Sequence, residues 1–529
     1  MKKIPLFLIF MCISYMHVFT QNNYNACGLQ SGIWDYDTVF VYCDVTVPTG
    51  DLLQITAGTK VIFNGYYSIH VQGVMKALGS VSDTILFTVS DTSGFADIHS
   101  NNGGWNGIRF EDTPSENDSS QFSFCHFSFG KAVGDSSNCY GGAFRVIRFN
   151  KIAIRNSTID NNYSFYWGGG LYAFKSNLIL DQVKVSDNYS GNDGMIYGYG
   201  GGLCFVSSDP DLRFMRFERN RSTGIGGGAS FEFSSPSILN CVFKDNFSGL
   251  GGALGFLRST SNRLIANLLI SNNEALFFGG GIANVSAHTA MTNVTIVNNY
   301  ASMGGGFYCN ETSNTKLYNS IIWGNTSYDS IGSQLWIWDV FSEPGFYYSA
   351  VQHGIALFGG SAFHGEYLNC TESDPLFADP TAGNFRILPD GSCFNSGTMN
   401  PGLLELPLFD LDMLERIQWG LPDIGAYECS MPVFVNAHVN DLFTASIDPV
   451  PTTAQSVVRI DLAQATDCTI KLLDRVGCEI FEEQSLSLNE GQNQMQLSAL
   501  FPGFKNRPSG IYFVRIWIKN QHSTLRIVH

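Results

Sequence analysis

The chain is expected to be all-β, a right-handed parallel β-helix (solenoid) followed by a small C-terminal Ig-like β-sandwich. Three observations predict this: a glycine-to-asparagine unit that recurs seven times, short alternating strand runs within each unit, and a change of character after Ser430. The glycine anchors are Gly142, Gly170, Gly202, Gly228, Gly252, Gly281 and Gly306, and the closing asparagines are Asn162, Asn188, Asn220, Asn246, Asn273, Asn299 and Asn325. Successive asparagines lie 26, 32, 26, 27, 26 and 26 residues apart, so a single unit carries an insertion, in the Gly/Tyr-rich stretch Gly191 to Tyr199. A period of this length signals a stacked array.

Each unit holds alternating runs such as Val183-Lys184-Val185, Met215-Arg216-Phe217 and Val294-Thr295-Ile296, which have strand period and no helical stripe. Strands this short cannot bury an apolar face alone, so each coil must stack on the next. Glycine totals 55 and charged residues 14%, a balance that suits tight turns and suits long helices poorly. The asparagines are expected to form a ladder, because asparagine tolerates left-handed backbone and bonds turn amides. The glycine triplets lack a following Lys-Ser/Thr and read as turns.

The repeat between Gly141 and Asn325 resembles that of polymorphic outer membrane proteins and related surface β-helix proteins. Ile55 to Phe63, Ile69 to Gly73 and Trp105 to Phe110 look like the opening coils of pectate-lyase-like β-helices, which places the start of the solenoid near Val45. Asp374-Pro375-Leu376-Phe377, Phe385-Arg386-Ile387 and Asp423 to Glu428 resemble a segment that closes secreted bacterial β-helices, and it is expected to finish the solenoid. Residues 335–365, rich in aromatics, depart from the repeat and read as a lateral insertion.

Lys2 and Lys3 before the apolar run Ile4 to Phe19 have the layout of a secretory signal cleaved before Gln21, giving a signal peptide over 1–20 and a β-helix with its N-terminal and C-terminal caps over 21–430. No other stretch is apolar enough to span a bilayer. In 431–529, strand candidates are Val457 to Leu462, Cys468 to Leu473, Gln494 to Leu497, Ile511 to Ile518 and Thr524 to Val528, a sandwich over about 446–529. Asp448-Pro449, the run Gly510, Ile511, Tyr512, Phe513, Val514, and the terminal Leu525 to His529 are similar to the sorting domain of the type IX secretion system of Gram-negative bacteria. The resemblance implies the type IX secretion machinery as partner, a secreted protein at the extracellular or outer-membrane surface, and lipopolysaccharide attachment after the sorting domain is cleaved. The usual Pro-Asn-Pro is represented only by Asp448-Pro449-Val450-Pro451, which leaves the cleavage position open.

A net charge of -16 without a basic cluster argues against nucleic acid. Twelve cysteines beyond the signal are compatible with disulfides; Cys27/Cys43, Cys125/Cys139, Cys393/Cys429 and Cys468/Cys478 are the sequence-local pairs, while Cys204, Cys241 and Cys309 read as core filling. No motif calls for a cofactor, and calcium has none either. Asp160, Asp187 and Asp245, just before ladder asparagines, are positioned for an acidic column, with Glu218, Lys244 and Arg219 nearby; solvated turns are the simpler reading. Histidines 70, 99, 126, 288, 353 and 364 show no ligand spacing.

Tyr163, Tyr166, Trp167, Tyr189, Tyr197, Tyr199 and Tyr300 lie in the asparagine-to-glycine turns, where outward rings would make a strip able to contact glycans. The expectation is a non-catalytic adhesin or glycan-binding surface protein, contacting glycans or a host surface. The rival is a polysaccharide lyase or glycoside hydrolase, which needs convergent carboxylates or a calcium-held substrate.

Overall fold

The computed structural model describes residues 22–529 except 136–137, 193–197, 261–262, 403, 419, 430–442, 449–455, 475–477, 482, 505–506, 508–510, 520 and 529. Thirty-four short strands join in one parallel network, each pairing with the strand about one coil earlier and the one about one coil later. A second parallel stack of eight two- to five-residue strands, Lys131–Ala132 through Thr326–Ser327, closes the coils on the remaining side. The chain is a right-handed parallel β-helix, the hand that parallel crossovers take, with coils ~4.8 Å apart.

Alternate residues of each strand point inward. Val185, Phe217, Phe243, Ile270 and Ile296 occupy one register column and are fully buried. Phe217 and Phe243 stack face to face at 4.4 Å, and Phe205, Phe231 and Phe256 repeat the arrangement on the neighbouring sheet. Identical registers put like residues on top of one another, so a phenylalanine in one coil is packed best by a phenylalanine in the next.

The seven ladder asparagines form a continuous hydrogen-bonded file. From Asn162 to Asn325 each Nδ2 donates to the Oδ1 of the next, at 2.9 to 3.0 Å, and Asn325 passes the bond to Gln334 Oε1 at 2.8 Å. Each of those acceptor Oδ1 atoms, save that of Gln334, also takes the preceding asparagine's backbone N–H. The residue before each asparagine has a positive φ: Asn161, Asp187, Arg219, Asp245, Asn272, Asn298 and Gly324. That left-handed step explains why Asn, Asp and Gly dominate there. It also corrects the acidic column: Asp160 lies on the strand before the turn, paired with Ser186 and not aligned with Asp187.

The structure departs from expectation in several places. The solenoid starts at Asn23, whose strand Asn23–Leu29 already pairs with Thr38–Val47, and the Cys27–Cys43 disulfide ties these first two coils. Residues 335–365 are no lateral insertion: Leu335–Ile337 and Gly345–Tyr347 continue the coil strands in register, and Phe358, Phe363 and Tyr367 pack over the end of the core. Their aromatics serve as the cap, which is why the repeat signature fades there.

The segment 393–429, expected to cap the end, lies along the side of the coils instead. It docks on a second asparagine file at the neighbouring corner: Asn267 donates to Phe409 O at 2.6 Å, Asn293 to Asp423 O and Gly425 O at 3.2 Å, and Asn319 to Thr398 O at 2.9 Å. Within it Arg416, Asp410, Asp423 and Glu428 are all buried, with Arg416 Nη1 on Glu428 Oε1 at 2.7 Å and Arg416 Nη2 on Asn267 Oδ1 at 2.6 Å. One cation faces three carboxylates, and burial pushes Asp410 up to about 6 and Glu428 up to about 8, against the pull of Arg416. Folded-state values raised above the ordinary carboxylate range mean that docking is strongest at acid pH and weakens as pH rises through about 6 and then about 8. Amide exchange in residues 409–429, corrected for intrinsic rates, is expected to be slower at acid than at alkaline pH; equal protection at both would contradict the raised values of the buried carboxyls.

Past the solenoid, sheets Phe443–Asp448/Val457–Leu462/Gly491–Gln496 and Gln484–Leu488/Thr466–Asp474/Ile511–Ile518/Gln521–Val528 enclose one core containing Val458, Ile460, Ile470, Leu472, Val514 and Ile516. The strands Phe443–Asp448 and Gln484–Leu488 are absent from the sequence reading, although Ser485-Leu486-Ser487-Leu488 alternates as a strand should, and Leu497 opens a short helical turn in place of ending a strand. Phe513 stacks on Phe409 of the docked segment at 4.3 Å.

Candidate functional site

The structure sorts the turn aromatics into two columns. Tyr163, Tyr189, Arg221, Phe247, Glu274, Tyr300 and Thr326 pair in sequence across the eight-stranded stack, each directly following a ladder asparagine. The fixed asparagine conformation makes the next residue begin a strand, and its side chain points outward while Ser164, Ser190, Ser222 and Ser248 beside it point in. Tyr163 is the buried foot of this column: its Oη donates to Gly191 O at 2.9 Å and its ring tilts against Tyr189 at 5.6 Å. From Tyr189 onward the column surfaces, the Arg221 guanidinium lies over the Phe247 ring at 4.5 Å, and Tyr300 is 39% exposed.

The second column holds Tyr140, Trp167, Tyr199, Ile225 and Leu250, each immediately before a glycine run and joined by parallel bridges. Trp167 and Tyr199 stack with planes 3° apart at 5.1 Å, and the column folds over Tyr172, Cys204 and Val206 of the adjoining strands. Ring faces stacked on one another are unavailable to a ligand, so Trp167 and Tyr199 act here as an outer packing layer. Cys204 belongs to this layer and not to the solenoid core, and burial pushes its thiol up to about 12. Tyr166 lies between the columns, half-buried, its ring 5.7 Å from Tyr140. Tyr197 lies outside the described residues.

Thus the six described aromatics do not form one strip. Sequence reasoning missed Arg221, Phe247 and Glu274, although their place directly after Asn220, Asn246 and Asn273 is a signal in the sequence itself.

The turn carboxylates are engaged by basic side chains. Arg219 holds Asp187 with two bonds of 2.7 Å, Arg216 holds Glu218 at 3.0 Å, and His126 meets Asp160 at 2.8 Å. Burial would raise Glu218, but Arg216 and Lys184 outweigh it and hold the carboxyl below its ordinary value. The carboxyls with raised values, Asp410, Asp423 and Glu428, are buried within the docked segment.

Among the described residues no group of three or more His, Cys, Asp or Glu side chains could hold a metal ion, and no helix is long and apolar enough to cross a membrane. Of the sequence-local cysteine pairs only Cys27–Cys43 is bonded; Cys125, Cys139, Cys393, Cys429, Cys468 and Cys478 carry free thiols. Of the run Gly510 to Val514, likened above to a sorting motif, Tyr512 and Val514 are buried in the sandwich and Phe513 faces Phe409, while Gly510 and the Ile511 side chain lie outside the described residues.

No family model matches the chain, and no curated protein matches it. Among solved structures it is similar to the enzymatically active domain of tailspike protein 4 of bacteriophage CBA120, with 11% identity and a TM-score of 0.18. The match covers 91% of this chain and 64% of that one, so the chain spans less than two thirds of the tailspike's length.

Proposed function

We propose that this is a secreted or cell-surface β-helix protein, exported by type IX secretion, that binds glycans through the column Tyr189, Arg221, Phe247, Glu274 and Tyr300 without cleaving them. The observation that carries the reading is that column: one outward aromatic or charged residue per coil, in line along the solenoid axis. An extended polymer lying along the axis would meet apolar ring surface and charged hydrogen-bonding groups alternately, the mixture that grips a sugar's apolar face and its hydroxyls. A non-catalytic role is supported by the ion-paired turn carboxylates: glycoside hydrolysis needs one carboxyl kept protonated near neutral pH, and Glu218 is shifted the other way. The sandwich, with its resemblance to sorting domains, would serve export, and lipopolysaccharide attachment would follow its removal.

The test is retention of the protein on a panel of neutral and acidic polysaccharides, with assay for new reducing or unsaturated ends. Retention without new ends is expected. Arg221→Ala and Tyr300→Ala should each weaken it by about 1 kcal/mol, roughly fivefold. New ends that vanish on Glu218→Gln would replace binding with lyase or hydrolase activity.

A further inference from the structure

Within the docked segment, the hairpin from Leu408 to Arg416 faces two ways. Asp410 sets its turn: Oδ1 accepts the backbone N–H of Asp412 at 2.9 Å and of Leu414 at 2.7 Å, and Phe409 and Glu415 pair antiparallel at the base. An aspartate that accepts from amides just ahead of it closes a turn locally. One set of groups on this hairpin reaches the solenoid. Phe409 O takes the Asn267 amide at 2.6 Å, Arg416 Nη2 returns a bond to Asn267 Oδ1 at 2.6 Å, and the Asn240 amide meets Met413 Sδ at 3.7 Å.

The other set reaches the sandwich. In the paired strands Thr466–Asp474 and Ile511–Ile518, Ile470, Leu472, Val514 and Ile516 fill the sandwich core, so the alternate pairs Leu473/Phe513 and Lys471/Arg515 lie on the outer face. Such a face ordinarily meets water. Here Leu473 and Phe513 are only 2% and 4% exposed, because they cluster with Phe409, and Leu408 and Met413 pack against them. The Arg515 guanidinium lies 5.6 Å from the Phe409 ring centroid and its Nη2 is 3.7 Å from Glu415 Oε1. Neighbouring residues of the hairpin thus hold opposite partners: Glu415 the sandwich, Arg416 the coils.

We infer that this hairpin couples the two, so that the sandwich is a latch on the docked segment and its release loosens the cover over the second asparagine file. Both contacts order the same short stretch of chain, and whichever forms first bears the entropy of that ordering. The second then forms more readily, which is positive coupling between sites that do not touch. Removal of the sandwich, or its capture by a partner through the Phe513 face, would free residues 409–429 and bare Asn267 and Asn293 along the side of the rod. The coupling depends neither on the glycan-binding reading nor on the export reading.

The experiment uses the full chain with its sandwich, and reads amide exchange over 409–429 together with hydroxyl-radical footprinting of the Phe513 and Leu473 side chains. Phe513→Ala should speed exchange over 409–429 about tenfold, the upper end of what a stacked aromatic pair contributes. Arg515→Gln, a milder change at the rim, should speed it about threefold. Because coupling is reciprocal, Arg416→Met, made on the solenoid side, should raise oxidation of Leu473 and Phe513 severalfold. Exchange in the sheet Phe443–Asp448/Val457–Leu462/Gly491–Gln496 should stay as in the wild type, which shows that the sandwich itself remains folded. Unchanged exchange over 409–429 in both sandwich variants overturns the inference. So does an Arg416→Met protein whose docked segment is freed while Phe513 stays shielded.

Discussion

Replacing Asn246 by alanine is expected to cost about 4 kcal/mol of stability. The side chain makes four hydrogen bonds, at 2.9 Å to Asn273 Oδ1, at 3.0 Å to Phe217 O, and at 3.0 Å from both the backbone N–H and Nδ2 of Asn220. All are fully buried. Each net bond contributes roughly 1 kcal/mol, and buried partners left without one add to the loss. Because a solenoid's stability is a sum of coil and interface terms, the damage should also lower cooperativity, splitting denaturant unfolding into two transitions on either side of the broken rung. Chemical denaturation followed by circular dichroism reads both effects. A loss below about 1 kcal/mol would mean that apolar stacking alone holds the coils and the file is incidental.

The second large effect concerns Arg416. Its removal as Arg416→Met leaves Glu428, Asp423 and Asp410 buried without their cation and Asn267 Oδ1 without its 2.6 Å donor. Breaking a buried pair from one side costs about 3–5 kcal/mol. The loss should appear as local undocking of residues 409–429 before the coils melt, seen as exchange or protease cleavage confined to that stretch. At alkaline pH, where Glu428 is ionised, Glu428→Gln in the Arg416→Met background should recover part of it by removing one of the stranded charges. A variant that keeps wild-type protection in this stretch would show that the asparagine contacts, and not the charge cluster, hold the segment down.

What the sequence reveals and conceals follows from the range of the forces involved. The glycine runs and ladder asparagines are legible because backbone geometry and a repeating hydrogen bond dictate residue type locally: Asn161, Asp187, Asp245, Asn272, Asn298 and Gly324 all meet the same left-handed step, and Arg219 is tolerated there. The solenoid's start was placed too late because Asn23–Leu29, an edge strand with much of its length in solvent, carries little of the buried apolar pattern. The lateral docking of 393–429 was illegible, since Asn267 and Arg416 are 149 residues apart and no local period relates them. The aromatic strip was half legible: residue type pointed to the turns, but only the offset from asparagine or from glycine separates an exposed column from a packed one.

The longest unit shows what this architecture permits. Asn188 and Asn220 stand 32 residues apart in sequence yet bond at 2.9 Å like every other rung, so the extra residues around 191–199 leave the register of the coils before and after them untouched. That corner is therefore a site where foreign sequence can be added without renegotiating the fold. Diversity can accumulate there one loop at a time, and a peptide grafted between Asn192 and Gly198 would be carried on a stiff rod whose own packing it does not enter.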